Sequence, residues 1–297
     1  MLKRIGLFVA TNLAVIVVIS LILSFFNLQS YFTKHGLNYE SLLIYAAVVG
    51  FTGSFISLFI SKWMAIQAFG IQLIQKPANE IEFWLLAEVA KLAEKNRIRM
   101  PDVGIYESLE PNAFATGWSK NNALVAVSTG LLSSMNHDEV EAVLGHELSH
   151  IANGDMVTLT LIQGVVNTFV IFFARIAAFF VSQFFRKDES QEFHDGFVYY
   201  GVALLFEIFF GILATIIVMW FSRYREFRAD AGSAKTVGKE KMIKALERLK
   251  KVVNSVPEDD RAPAFSAMKI AGHHRWFALF SSHPPLEKRI ETLRKLG

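Results

Sequence analysis

The sequence predicts a multi-pass α-helical membrane protein that carries a small cytoplasmic α+β domain. Three observations carry this. Of the 297 residues, 53% are hydrophobic, and the mean hydropathy is +0.35, too apolar for an ordinary soluble domain. Four apolar stretches approach or exceed the length that crosses a bilayer. After the second and fourth, the pattern changes to amphipathic helices and short alternating strands. The four expected parts are 1–61 (two spans and a short outer loop), 62–155 (a cytoplasmic half), 156–221 (a membrane hairpin) and 222–297 (a second cytoplasmic half).

The first span runs Ile5 to Phe26 behind Lys3 and Arg4. No small-residue cleavage site follows it, so a retained anchor is expected. The second runs about Leu42 to Ile60 and stops at Lys62-Trp63, a charge followed by an interfacial aromatic. The third, Met156 to Val181, carries Thr158, Thr160, Gln163, Asn167 and Arg175. The fourth, Tyr199 to Phe221, is apolar apart from Glu207. Arg175 and Glu207 are expensive in lipid unless paired, and similar depths in the two spans predict a contact between them. This second pair is also compatible with incomplete crossing. Lys3, Arg4, Lys62, Arg223, Arg225, Arg228 and Lys235 concentrate on one side. The positive-inside rule therefore places both termini and the segment Lys62 to Asp155 in the cytoplasm. Basic span ends account for the net charge of +3 without nucleic acid. The absence of cysteine excludes a Cys-ligated structural metal.

In the first cytoplasmic segment, Asn79 and Glu82 form a capping-box pair. Ile81, Trp84, Leu85, Val89 and Leu92 then mark an amphipathic helix to about Asn96. Val103 to Tyr106 reads as a strand, Asn112 to Gly117 as a second extended piece, and Ala123 to Val127 as a third strand after an Asn121-Asn122 turn. Asn136 and Glu139 form another capping box, and Val140, Val143, Leu144, Leu148 and Ile151 recur at helical spacing up to Gly154. In the second cytoplasmic segment, Lys239 to Val253 is a basic amphipathic helix, and Pro257 to Pro263 a charged loop. Pro284-Pro285 opens a last helix with Leu286, Ile290 and Leu293.

The Asn136 helix carries His146-Glu147-Leu148-Ser149-His150. Residues four apart share a helical face, so both imidazoles can address one metal ion while Glu147 projects beside them. Chance gives roughly one such match per seventy chains of this composition, so context has to carry the reading. The alternative is two surface histidines around an ordinary glutamate. Helix, short strands and then a metal-binding helix is the order of a zincin-type α+β domain. Such a motif points to metal-assisted hydrolysis, most often of a peptide bond.

Zinc needs a third protein ligand and one open position. Glu226, His273-His274, His283 and several exposed glutamates are candidates; His35 and His194 fall in outer loops, and His137 lies too far upstream. Glu226 has a geometric argument. His150 lies about six residues before the third span and Glu226 about five after the fourth, so an antiparallel hairpin returns both to one height, within about 10 Å of the membrane surface. Asp230, one helical turn on, is placed to accept the second N–H of a liganding histidine. The alternative, a charged helix end at the cytoplasmic border, explains the neighbouring arginines but not the one-turn spacing of Glu226 and Asp230.

Together, His146 to His150, Asn112-Ala-Phe-Ala-Thr-Gly117, Glu226-Phe-Arg-Ala-Asp230 and Ser282-His283-Pro284-Pro285 resemble the HtpX family of bacterial inner-membrane zinc metalloproteases, gluzincins related to the CAAX prenyl proteases. The resemblance covers essentially the whole chain. It implies a zincin-like metalloprotease domain and one zinc per subunit on His146, His150 and Glu226, with Glu147 as the catalytic residue. It also implies a cytoplasmic site at the inner membrane, and misfolded or damaged membrane proteins and unfolded polypeptides as substrates under envelope stress. His283 is a candidate oxyanion donor or a lid-type contact near the zinc, against the simpler role of a residue before a helix-opening proline. Asn112 is a candidate for the edge that receives substrate backbone, or a turn residue after Pro111. His273-His274 read as surface residues. Two rivals stay open: a membrane scaffold or transport component with an accidental motif, and a protease that processes one defined site.

Overall fold

The computed structural model describes residues 38–185, 192–255 and 283–296. The expected first span, His35, the Pro257–Pro263 loop and His273-His274 lie outside the described residues. In chain order the elements are α1 (Tyr39–Phe69), β1 (Gln72–Leu73), α2 (Glu80–Lys95), β2 (Asp102–Tyr106), β3 (Ala113–Ser119), β4 (Asn122–Ser128), α3 (Thr129–Ser134), α4 (His137–Asn153), α5 (Asp155–Phe185), α6 (Glu192–Val237), α7 (Lys239–Ser255) and α8 (Leu286–Lys295). The described residues fall into two compact units, those of Met1–Ile56 and Thr160–Val218, and those of Ser57–Leu159 and Met219–Gly297.

In the first unit the helices are long and apolar. Among the described residues, α1, α5 and α6 each contain a stretch long and apolar enough to cross a membrane. Helices α1 and α6 run well beyond the stretches that hydropathy marks, whereas α5 exceeds its stretch by only a few residues. Helix α6 continues without a break from the apolar part into the charged segment after Phe221, because Arg-Tyr-Arg-Glu-Phe-Arg-Ala-Asp contains no Gly or Pro to stop it. Leu43, Ala46, Phe172 and Phe179 form a small core. The polar residues of the third apolar stretch are used internally: Gln163 Nε2 donates to Asn167 Oδ1 (2.8 Å), and Asn167 Nδ2 donates to Ser54 Oγ (3.4 Å). The expected Arg175–Glu207 contact is present at 3.2 Å, and the guanidinium also faces the Tyr199 and Tyr200 rings.

The second unit is built on a four-stranded sheet of order β1-β2-β4-β3, in which only β2 and β4 run parallel. Alternation along the strands sends Val103, Val125 and Val127 to one face, where they pack with Leu85, Val89 and Leu92 of α2 and Leu144, Leu148 and Ile151 of α4. The opposite face, with Tyr106, Leu124 and Ala126, is covered by Ala65 and Ile66 at the end of α1. A second core joins Ala142 of α4 to Met242 and Leu246 of α7 and Ile290 and Leu293 of α8. Helix α4 is thus held from both sides.

Two local expectations need correction. Asn79 caps α2 by accepting from Glu82 N–H, but the Glu82 carboxylate accepts from Ala78 N–H rather than from Asn79 N–H, so the box closes one residue early. The β3–β4 turn is Lys120-Asn121; Asn122 already pairs with Ser119. Its lysine ammonium donates to the Ala152 carbonyl, satisfying an orphan acceptor in the last turn of α4.

Candidate metal centre

The site rests on α4, and local rules fix that helix at both ends. Glu139 N–H donates to Asn136 Oδ1 (3.0 Å), and Asn136 N–H donates to Glu139 Oε2 (2.9 Å). At the other end Gly154 takes φ 64°, a left-handed conformation that glycine adopts without strain and that turns the chain directly into α5.

What brings α6 to α4 is a crossing of small residues. A methyl group at Gly232 would lie 2.8 Å from Ser149 Cβ, and one at Gly145 would lie 2.8 Å from Ser233 Oγ. Ser233 Oγ donates across the crossing to the Ala142 carbonyl (2.7 Å). Backbones this close leave the neighbouring long side chains, within two turns on each helix, to meet face to face.

At that meeting point His146 Nε2 and His150 Nε2 are 3.2 Å apart, and Glu226 lies 3.4 Å from the first (Oε2) and 3.2 Å from the second (Oε1). His146 and Glu226 are buried, and His150 nearly so. Both imidazoles are oriented from behind. His146 Nδ1 donates to Asp230 Oδ1 (2.9 Å), and His150 Nδ1 donates to Asp155 Oδ2 (2.8 Å). With the Nδ1 proton held there, each Nε2 turns a lone pair toward the carboxylate.

Three acceptors facing one another in a buried space repel unless a cation lies among them. Donors about 2.0–2.2 Å from a tetrahedral zinc are roughly 3.3–3.6 Å apart, close to the spacing found here. The residues therefore fit a metal ion, and His146, His150 and Glu226 form a group able to hold one. Without an ion, protons on the two Nε2 atoms take its place and are donated to Glu226. Burial alone would lower the His150 pKa, but Asp155 and Glu226, with the Glu147 charge adding to them, outweigh it and push it up to about 10. His146 is likewise raised against its burial by Asp230 and Glu226. Burial alone would raise the Glu226 pKa, but hydrogen bonding to His146, His150 and His283 holds it well below the usual carboxylate range. Every group in the cluster favours added positive charge.

The remaining residues singled out in the sequence are placed as follows. Glu147 sits on α4 between the histidines and, among the described residues, makes no hydrogen bond or ion pair. Asp230 is buried beside His146. His283 Nδ1 reaches Glu226 Oε2 (2.7 Å) while half of its ring faces outward. Asn112 lies just before β3, an edge of the sheet, where its backbone exchanges hydrogen bonds with the N–H and hydroxyl of Ser128. His137 stays at the start of α4, against Trp84.

Three residues of the site escape the sequence reading. Asp155 marks only a segment border there, yet it orients His150. Arg225, counted only as a basic flank, is buried and donates from Nη1 to the Asp155 carbonyl (2.9 Å). Arg289 is buried on α8 and grips Asp230 through Nε (2.8 Å) and Nη2 (2.6 Å). Its signal was available: Arg289 falls in the Leu286, Ile290, Leu293 stripe, where a charge is out of place unless paired.

Two histidines one turn apart with a glutamate between them, and a second acidic side chain, Glu226, converging on them, are the donor set of a metallopeptidase. A family comparison agrees: residues 79–297 match Peptidase family M48, and the chain belongs to that family. It is 53% identical over 299 residues to a "Protease HtpX homolog" of Methylacidiphilum infernorum, covering 100% of this chain and 99% of the relative. It is 55% identical over 296 residues to "Protease HtpX" of Tolumonas auensis, covering 99% and 100%. In fold it resembles the crystal structure of S. mikatae Ste24p, with a TM-score of 0.63 at 20% identity, covering 96% of this chain and 66% of that one. The protein is a membrane metalloprotease.

Proposed function

We propose that the protein is a zinc endopeptidase of the bacterial inner membrane that cleaves misfolded or damaged membrane proteins from the cytoplasmic side. The observation that carries the zinc reading is the convergence of His146, His150 and Glu226, each within 3.4 Å of the others and two of them oriented by carboxylates. The cytoplasmic side rests on the bias of basic residues at the span ends.

Zinc, when bound, activates a water near neutral pH and polarises the scissile carbonyl. Glu147 takes the proton of the attacking water and returns it to the leaving amine. Its lack of a hydrogen-bond partner among the described residues leaves the carboxylate available for that transfer. Asp230 and Asp155 keep both imidazoles in the tautomer that presents Nε2. Substrate backbone adds to β3 beside Asn112, because an edge strand offers unpaired N–H and C=O groups to an extended chain. His283, whose Nδ1 contacts Glu226 at the edge of the cluster, is the candidate donor to the oxyanion.

The test is a purification in detergent without metal, followed by zinc addition to wild type and Glu147→Gln side by side. Both bind zinc, and only wild type cleaves itself and an unfolded membrane-protein substrate at several sites. Proteolysis by the Glu147→Gln chain overturns the assignment of Glu147. A single product from every substrate tried overturns broad cleavage in favour of narrow processing.

A further inference from the structure

Arg289 has no part in the proton transfers above, yet it is nearly as buried as the ligands. It makes a two-pronged contact with Asp230 and places Nη1 3.5 Å from Glu226 Oε2. Burial alone would lower its pKa; Asp230 and Glu226 more than offset that, and the charge is kept. Around the proposed ion stand the carboxylates of Glu226, Asp230, Asp155 and Glu147. Two metal charges leave that group short of neutral, and Arg289 supplies a cation in contact with two of its members.

Its two contacts act on different ligands. Through Asp230 it fixes the acceptor of His146 Nδ1, so the ring can neither flip nor swing. Beside Glu226 it lies, together with His283, next to Oε2, the oxygen 3.4 Å from His146 Nε2, while Oε1 lies 3.2 Å from His150 Nε2. Arg289 itself is held by α8, whose Ile290 and Leu293 are embedded in the core shared with α4 and α7.

We infer that Arg289 is a positioning residue that sets the metal affinity of the site, by holding Asp230 against His146 and fixing the orientation of the Glu226 carboxylate. The inference rests on the zinc reading of His146, His150 and Glu226. A planar two-pronged guanidinium suits this task and an ammonium does not, because a single point charge cannot hold both Asp230 oxygens and reach Glu226.

The test uses the full-length chain in detergent with Arg289→Lys and Arg289→Met. Zinc affinity is read by chelator competition, the ligand field by the visible spectrum of the cobalt-loaded protein, and fold by circular dichroism. Wild type binds one zinc. Arg289→Lys is expected to keep the fold, bind zinc about 10-fold more weakly and show an altered cobalt spectrum; Arg289→Met is expected to lose about 100-fold, the range typical of groups that orient metal ligands. On a peptide substrate at saturating zinc, kcat falls while KM stays within about twofold. A folded Arg289→Lys chain with wild-type affinity and spectrum overturns the inference, whether or not Arg289→Met folds. The combination Arg289→Met with Asp230→Asn is expected to lose clearly less than the product of the two single losses, because the Asp230 contact is shared while the Glu226 contact is not; effects that multiply fully would mean that Arg289 does not act through Asp230. A wild-type chain that binds no zinc overturns the metal reading itself, and this inference with it.

Discussion

Replacing Gly232 by alanine tests how the fold assembles the site without touching any ligand. The new Cβ would sit 2.8 Å from Ser149 Cβ and 2.5 Å from Ser149 Oγ. Carbon atoms pack at about 3.5–4.0 Å, so the helices must part by roughly 0.7–1.2 Å. Rotating Ser149 gives little relief, because moving Oγ still leaves Cβ 2.8 Å away and breaks the bond from its hydroxyl to the Gly145 carbonyl (2.7 Å). Overpacking of this size costs about 1–3 kcal/mol. In a unit of this size that lowers Tm by roughly 2–10 °C. Because Glu226 rides on α6 and both histidines on α4, the same shift widens the 3.2–3.4 Å gaps between donors. Zinc affinity is expected to drop by about 10-fold or more. The assay is a thermal melt and a chelator titration of wild type, Gly232→Ala and Gly211→Ala. Gly211 lies on the same helix with nothing near the added methyl, so alanine there is neutral or slightly stabilising. If Gly232→Ala melts and binds zinc as Gly211→Ala does, the crossing does not set the site.

Other outcomes follow from the same structure. Glu141 is gripped by Lys91 and Lys241 from two other helices; burial alone would raise its pKa, but these lysines and Glu88 bring it to about 2. A depressed carboxylate stabilises above its unfolded pKa of about 4.3 and loses that contribution as pH falls toward 2. Since both lysines are partly exposed, Glu141→Gln is expected to cost only about 1–2 kcal/mol at pH 7 and little near pH 2, read from melts across pH. Arg175→Leu strands Glu207 among apolar helices and is expected to cost about 2–3 kcal/mol, while the double change to leucine recovers most of it; equal melts for the single and double variants would refute the pairing.

Much of this architecture is readable from local chemistry. The ends of α4 follow from Asn136, Glu139 and Gly154, residues whose preferences act within one turn. The meeting of His146, His150 and Glu226 follows from counting helical rise along two long elements. What escaped depends on contacts distant in sequence. The two-residue strand β1 exists because Gln72 and Leu73 pair with Ile105 and Gly104, a pairing no two-residue pattern announces. Helix α3, six residues long, follows β4 directly through a Ser128 cap that reads equally as the end of a strand. The Gly145, Ser149, Gly232 and Ser233 crossing looks like unremarkable small residues until the helices are superposed. Arg225 and Arg289 carry charges that sequence reading assigns to the surface, and only packing shows that they are buried partners of the site.

The central claim is that His146, His150 and Glu226 hold one catalytic zinc. X-ray absorption at the zinc edge of the loaded wild-type chain tests it most directly. The account predicts two imidazole nitrogens and light oxygen donors at about 2.0–2.2 Å, with one zinc per chain in wild type and Glu147→Gln, and loss of the metal in Glu226→Ala. A site with three or more imidazoles, or full zinc retention in Glu226→Ala, would contradict it.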